Sequence, residues 1–107
     1  MMDGFYTVHF ETANGSGAGV VILRSGDVRG GDSSFYFTGT FAEDGEKMSA
    51  TIKVARHSAG LTSVFGALDL VNLTSKGVIR GDSIFGKAIA AEVPGLPMNF
   101  TLRRIGD

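Results

Sequence analysis

Apolar and polar positions alternate with a period of two along most of this chain, the rhythm of strands buried on one face. In residues 4–11, Tyr6, Val8 and Phe10 point one way, and Phe5, Thr7, His9 and Glu11 the other. A loop at Asn14-Gly15-Ser16-Gly17 leads into a returning strand over 18–24, AGVVILR. Ser25-Gly26-Asp27 then turns into a short strand around Val28. Residues 34–42 form the most aromatic strand, with Phe35, Phe37 and Phe41 on one face and Tyr36, Thr38 and Thr40 on the other. Gly39 in that strand relieves crowding at a bend. Residues 47–56 send Met48, Ala50, Ile52 and Val54 inward and Lys47, Ser49, Thr51 and Lys53 outward. Further strands are expected near 67–74, 77–81, 84–92 and 97–105.

The breaks in this rhythm are equally informative. Gly30-Gly31 predicts a sharp turn or bulge, since glycine tolerates backbone angles that other residues resist. Pro94-Gly95 is a turn dipeptide. Residues 57–66 lose the alternation and predict a loop with one helical turn over 61–65. A shift of fifty residues lays Gly31-Asp32-Ser33 on Gly81-Asp82-Ser83, Phe35 on Phe85, Met48 on Met98 and Thr51 on Thr101. The same shift lays Val21, Leu23 and Val28 on Val71, Leu73 and Val78. Short strands with turns every ten or so residues predict an all-β barrel or sandwich. Repetition favours an up-and-down closed β-barrel of about eight strands, built from two similar halves, with at most one short helical turn. Closure leaves no strand edge exposed. Residues 1–107 suffice for a single domain of this kind.

Composition narrows the chemistry. The 16 glycines among 107 residues suit many strands joined by tight turns, and the absence of cysteine excludes disulfides and thiolate metal sites. A net charge of −1, from 10 Lys and Arg against 11 Asp and Glu, gives no pull toward nucleic acid or an anionic membrane. The opening MMDGFYTVHFE lacks the basic start and apolar core of a signal peptide, so a cytoplasmic location is expected. His9 and His57 lie on separate segments, and no Gly-x-Ser-x-Gly elbow joins a strand to a helix. Gly15-x-Gly17-x-Gly19 precedes no helix that would cradle a phosphate. The chain therefore reads as a protein that is not an enzyme and carries no cofactor.

Two features remain as candidate sites. Glu43-Asp44-Gly45-Glu46 is a hairpin turn that puts three carboxylates together. It is either a solvated turn with positive φ at glycine or a surface that steers a basic partner. Its spacing does not match a calcium loop. Tyr6, Phe10, Phe35, Phe37 and Phe41 either fill the barrel or line a pocket for a small apolar molecule or lipid, with Ala88, Ala90 and Ala91 leaving room. Phe5, Val21, Leu23 and Val71, read as facing outward, predict an association surface and a symmetric homodimer.

Asp3-Gly4-Phe5-Tyr6, the strand ending at Phe10, Gly17-x-Gly19, Ser25-Gly26, Gly30-Gly31-Asp32 and Tyr36-x-x-Gly39 stand in the order found in the GrlR family. The chain resembles these small bacterial negative regulators of type III secretion most densely over 3–46, with Ser63-Val64 as the main later echo. The resemblance implies a lipocalin-like (calycin) barrel, a homodimer, and a regulator that binds and restrains a transcriptional activator. The family's acidic loop falls on Glu43, Asp44 and Glu46, with Gly45 interrupting it, and these carboxylates are the implied partner-binding residues. Gly4-x-Tyr6 is similar to the Gly-x-Trp that opens lipocalin barrels, which implies a cation–π contact of Tyr6 with Arg103 or Arg104.

Overall fold

The computed structural model describes residues 2–60 and 62–107. Eight strands follow in order: β1 (Gly4–Thr12), β2 (Gly15–Arg24), β3 (Asp27–Gly31), β4 (Phe35–Asp44), β5 (Lys47–Arg56), β6 (Leu70–Arg80), β7 (Ser83–Ala90) and β8 (Met98–Gly106). Each strand pairs antiparallel with the next, and β8 returns to β1, so the sheet is a closed up-and-down barrel. No helix occurs among the described residues, and thus none long and apolar enough to cross a membrane.

Cross-strand partners point to the same side of a sheet, so one inward residue commits its neighbours around the ring. Tyr6 faces the interior and is paired with Val21. Val21 is therefore inward at 5 % exposure, as are Leu23 and Val71 at 2 % each, which corrects the outward placement expected for these three. The run Val20-Val21-Ile22-Leu23 is apolar at every position, so its pattern could not say which face was which. Val20 and Ile22, 40 % and 44 % exposed, are the residues that face out, beside Phe5 as expected.

The strand ends differ in kind. At one end, tight turns at Ser25-Gly26, Gly45-Glu46 and Gly81-Asp82 join β2 to β3, β4 to β5 and β6 to β7. Gly26, Gly45 and Gly81 there have φ of 85°, 62° and 58°, angles that glycine adopts without a Cβ penalty. At the other end lie the β1–β2 turn, the β3–β4 turn and the longer connections 57–69 and 91–97.

Residues 62–66 form no helical turn. Ser63 and Gly66 bridge to each other, and Ser63 Oγ accepts the Phe65 N–H at 3.1 Å; Leu61 lies outside the described residues. The serine hydroxyl captures a backbone donor locally, which competes with helix formation. Phe65 is thereby folded inward and buried. The expected strands 67–74 and 77–81 are one strand, β6, because Gly77 stays extended, paired with Met48 and Gly86, where its counterpart Asp27 follows a turn. The fifty-residue offset thus lays β2 on β6, β4 on β7 and β5 on β8, while Phe85 is exposed and Phe35 buried.

Gly30 and Gly31 make neither turn nor bulge; they end β3 in regular register, and the turn follows at Ser33-Ser34. Asp32 shapes it, its Oδ1 accepting the backbone N–H groups of Ser34 at 2.9 Å and Phe35 at 2.8 Å. The glycines instead permit close approach between strands. A Cβ on Gly30 would strike the Val20 carbonyl, and one on Gly39 the Thr51 carbonyl and the Ile52 Cα. Gly39→Ala is expected to lower stability by about 2 kcal/mol or more through this backbone overlap. Gly95→Ala, where a Cβ meets nothing within 4 Å, changes stability by less than about 1 kcal/mol. Urea titrations of the two variants check the contrast.

Candidate functional site

The barrel interior is incompletely filled. A cavity of about 140 Å³ runs between Leu23, Val28 and Met48 in its depth and Ser16, Gly17, Asp32, Ser34 and residues 62–65 at its rim. Its body is apolar, with Val8, Leu73, Phe100 and Leu102 among the side chains around it. Leaving such a volume empty forfeits roughly 3 kcal/mol of packing at ~24 cal/mol per Å³. An eight-stranded barrel has just the girth at which side chains fill the interior or one small ligand does.

Three of the five aromatic residues expected at a pocket line this cavity: Phe10, Phe35 and Phe37. Phe10 meets Phe37 edge to face, with ring centroids 6.3 Å apart and planes at 89°. Arg56, the cross-strand partner of Phe35, lies over its ring, the guanidinium carbon 4.5 Å from the ring centre. Tyr6 and Phe41 do not line the cavity. Tyr6 belongs to the closed end, where its hydroxyl donates to the Met2 carbonyl at 2.7 Å, and Phe41 packs half-buried against the core. Alternation alone gives the face of a strand but not the depth along the barrel at which each ring sits. Of the three alanines expected to make room, Ala88 and Ala90 are buried, whereas Ala91 has left the strand and is exposed.

The two ends are closed by different means. Met2 is buried across the hairpin end, its N–H donating to Glu43 Oε1 at 3.0 Å. Arg104 lies against Gly4, its Nε 2.8 Å from where a Cβ would stand, and its guanidinium reaches the Gly106 carbonyl and Asp107. It makes no cation–π contact with Tyr6; among the described residues those contacts are Lys53 over Tyr36 and Arg56 over Phe35. A bulge explains this. Tyr6 is opposite Arg104 but Phe5 is opposite Gly106, and the extra residue directs Arg104 toward the strand ends. At the rim, connection 57–69 folds back over the opening, held where Thr12 Oγ1 donates to the Val64 carbonyl and His57 N to the Ser34 carbonyl.

The acidic hairpin projects at the closed end, with Glu43, Asp44, Gly45 and Glu46 all exposed. Its carboxylates are not equivalent. Glu43 latches Met2, and Glu46 pairs with Arg80 at 3.1 Å, both side chains well solvated. Such an exposed pair is worth under about 1 kcal/mol. Asp44 stands beside the turn, opposite Lys47. Among the described residues, no three His, Asp or Glu side chains are placed to hold a metal ion.

His9 is exposed on the outer face between Ala18 and Thr101. His57 Nε2 lies 3.0 Å from the Asp32 carbonyl, at the rim. Glu92 accepts both the N–H and the side-chain amide of Asn72 at 2.8 Å, hydrogen bonds that hold its carboxyl below the usual range. That clamp ties connection 91–97 to β6, and it is released as pH falls through the lowered pKa. The residue that sequence reasoning passed over is Ser75, one of two buried polar residues among those described, and the one polar side chain in the inward row Val71, Leu73, Ser75 of β6.

Compared with known protein families the chain matches none, and no curated protein matches it either.

Burial raises the pKa of Tyr6 above its ordinary value near 10, with the Arg104 charge opposing in part. The folded chain therefore keeps a proton that the unfolded chain releases, so this contribution to stability is full below about pH 10 and is lost as pH rises toward the folded pKa. Tyr6→Phe should flatten the alkaline fall in stability while costing about 1 kcal/mol near neutrality, where the bond to Met2 is lost. Urea midpoints at pH 7 and above pH 10 measure both effects.

Proposed function

We propose that this chain is a non-catalytic regulatory binding protein, resembling the type III secretion negative regulators of the GrlR family and acting in a bacterial cytoplasm. Its partner is a protein such as a transcriptional activator, engaged through a basic surface. The observation that carries this reading is the acidic hairpin: three exposed carboxylates, Glu43 and Asp44 at the end of β4 and Glu46 in the turn that follows. Rim charges of this kind act mainly on association rate and salt dependence. Phe5, Val20 and Ile22 form an exposed apolar face on β1 and β2, which supports the homodimer that the resemblance implies. Sedimentation velocity showing only monomer would remove that part.

Glu43→Gln, Asp44→Asn and Glu46→Gln together remove the charge while leaving an acceptor for the Met2 N–H. Capture of an activator encoded beside this gene should weaken by roughly threefold to 150-fold and lose most of its salt dependence, at about 0.2–1 kcal/mol for each of three exposed charge pairs. Pull-down across a salt series reads this out. Equal capture by the neutralised hairpin ends the acidic-contact reading.

The cavity favours a second reading, a carrier of a small apolar ligand in the barrel. Protein purified from its own host should then retain a small apolar molecule in native mass spectrometry. Ala50→Leu, which pushes a side chain into the cavity, should empty it. Bare protein at every preparation sinks the carrier.

A further inference from the structure

Ser75 sits on β6 in register with Ala50 of β5, which also lines the cavity, and with Ala88 of β7, which does not. It faces inward two residues after Leu73 and four after Val71, and it is only 5 % exposed. Among the described residues its hydroxyl has no hydrogen-bond partner, yet no side-chain polar atom there is sealed away unpaired. The hydroxyl therefore opens onto the cavity, which Ser75 lines. Ser34, the other buried polar residue among those described, lies at the rim, where its backbone N–H and carbonyl are bonded in the turn around Asp32 and to connection 57–69. A buried hydroxyl facing apolar space is costly unless something in that space bonds to it.

Size and charge narrow what that something is. The cavity of about 140 Å³ is close to the roughly 150 Å³ of an apolar protein cavity that takes up benzene. No Lys, Arg or His lines it, and its one ionisable lining residue is Asp32 at the rim. An anionic head group would find no counter-charge inside, Arg56 and His57 standing near the rim outside the lining. We propose that the barrel interior binds a small neutral molecule with one polar group, a benzene-sized ring or short alkyl chain bearing a hydroxyl or carbonyl, anchored by a hydrogen bond to Ser75 Oγ. This inference rests on the carrier reading and adds the anchor and the exclusion of acids.

Benzyl alcohol, toluene and benzoate, titrated into the full chain and into Ser75→Ala and followed by amide chemical shifts, test it. Benzyl alcohol and toluene should shift amides around Ser75, Ala50 and Ala88, and benzoate should not. Ser75→Ala should weaken benzyl alcohol about fivefold to tenfold and leave toluene unchanged, as loss of one hydrogen bond requires. Ala50→Leu should abolish uptake of both. If neither neutral probe binds, the carrier reading fails and takes the anchor with it. If both bind but Ser75→Ala affects them alike, the carrier stands and the Ser75 anchor is overturned. Benzoate binding as tightly as benzyl alcohol overturns the exclusion of acids.

Discussion

The pairing of β8 with β1 is the constraint from which the other features descend. Once those strands meet, every strand has two neighbours, and the register of each inward row is shared around the ring. A one-residue slip anywhere would turn a whole strand's apolar set outward. The bulge between Phe5 and Tyr6 adjusts this seam at its end, placing Arg104 against Gly4 and leaving Tyr6 free to bond the Met2 carbonyl. The closed end is thus built from the seam itself, while the opposite end is built from connections. Interior space survives beside Ala50 and Ser75, short side chains in register on β5 and β6.

Much of the barrel was legible because half-buried strands write their faces in alternate letters. Residues 47–56 carry that alternation without a fault, and β5 has those bounds. The 18–24 run has it in no usable form, and the inward side of Val21 and Leu23 is set by their pairing with Tyr6 and Gly4 across the ladder. Glycine was read too generically. Gly26, Gly45 and Gly81 do turn the chain, but Gly30, Gly31 and Gly39 let strands pack closely without turning it. Those two uses look identical in one dimension, because the atom that would clash belongs to a different strand.

The candidate sites were legible in composition and not in placement. The acidic turn stands where its residues put it, but its three carboxylates divide among a latch, an exposed ion pair and an open position, a division set by Met2 and Arg80 from distant segments. The aromatic set splits along the barrel axis, Tyr6 to the closed end and Phe10, Phe35 and Phe37 to the cavity. Ser75 drew no attention as a serine among many, because an unpartnered hydroxyl becomes unusual only once its surroundings are known to be apolar.

The asymmetry between the two strand ends divides the molecule into a conserving half and a permissive half. Hairpins of two residues tolerate almost no insertion, since each added residue would shear the ladders on both sides. Connections 57–69 and 91–97 bear no ladder, so lengthening or recolouring them leaves the staves untouched. A barrel made this way can change the shape of its open end while its hairpin end stays as it was.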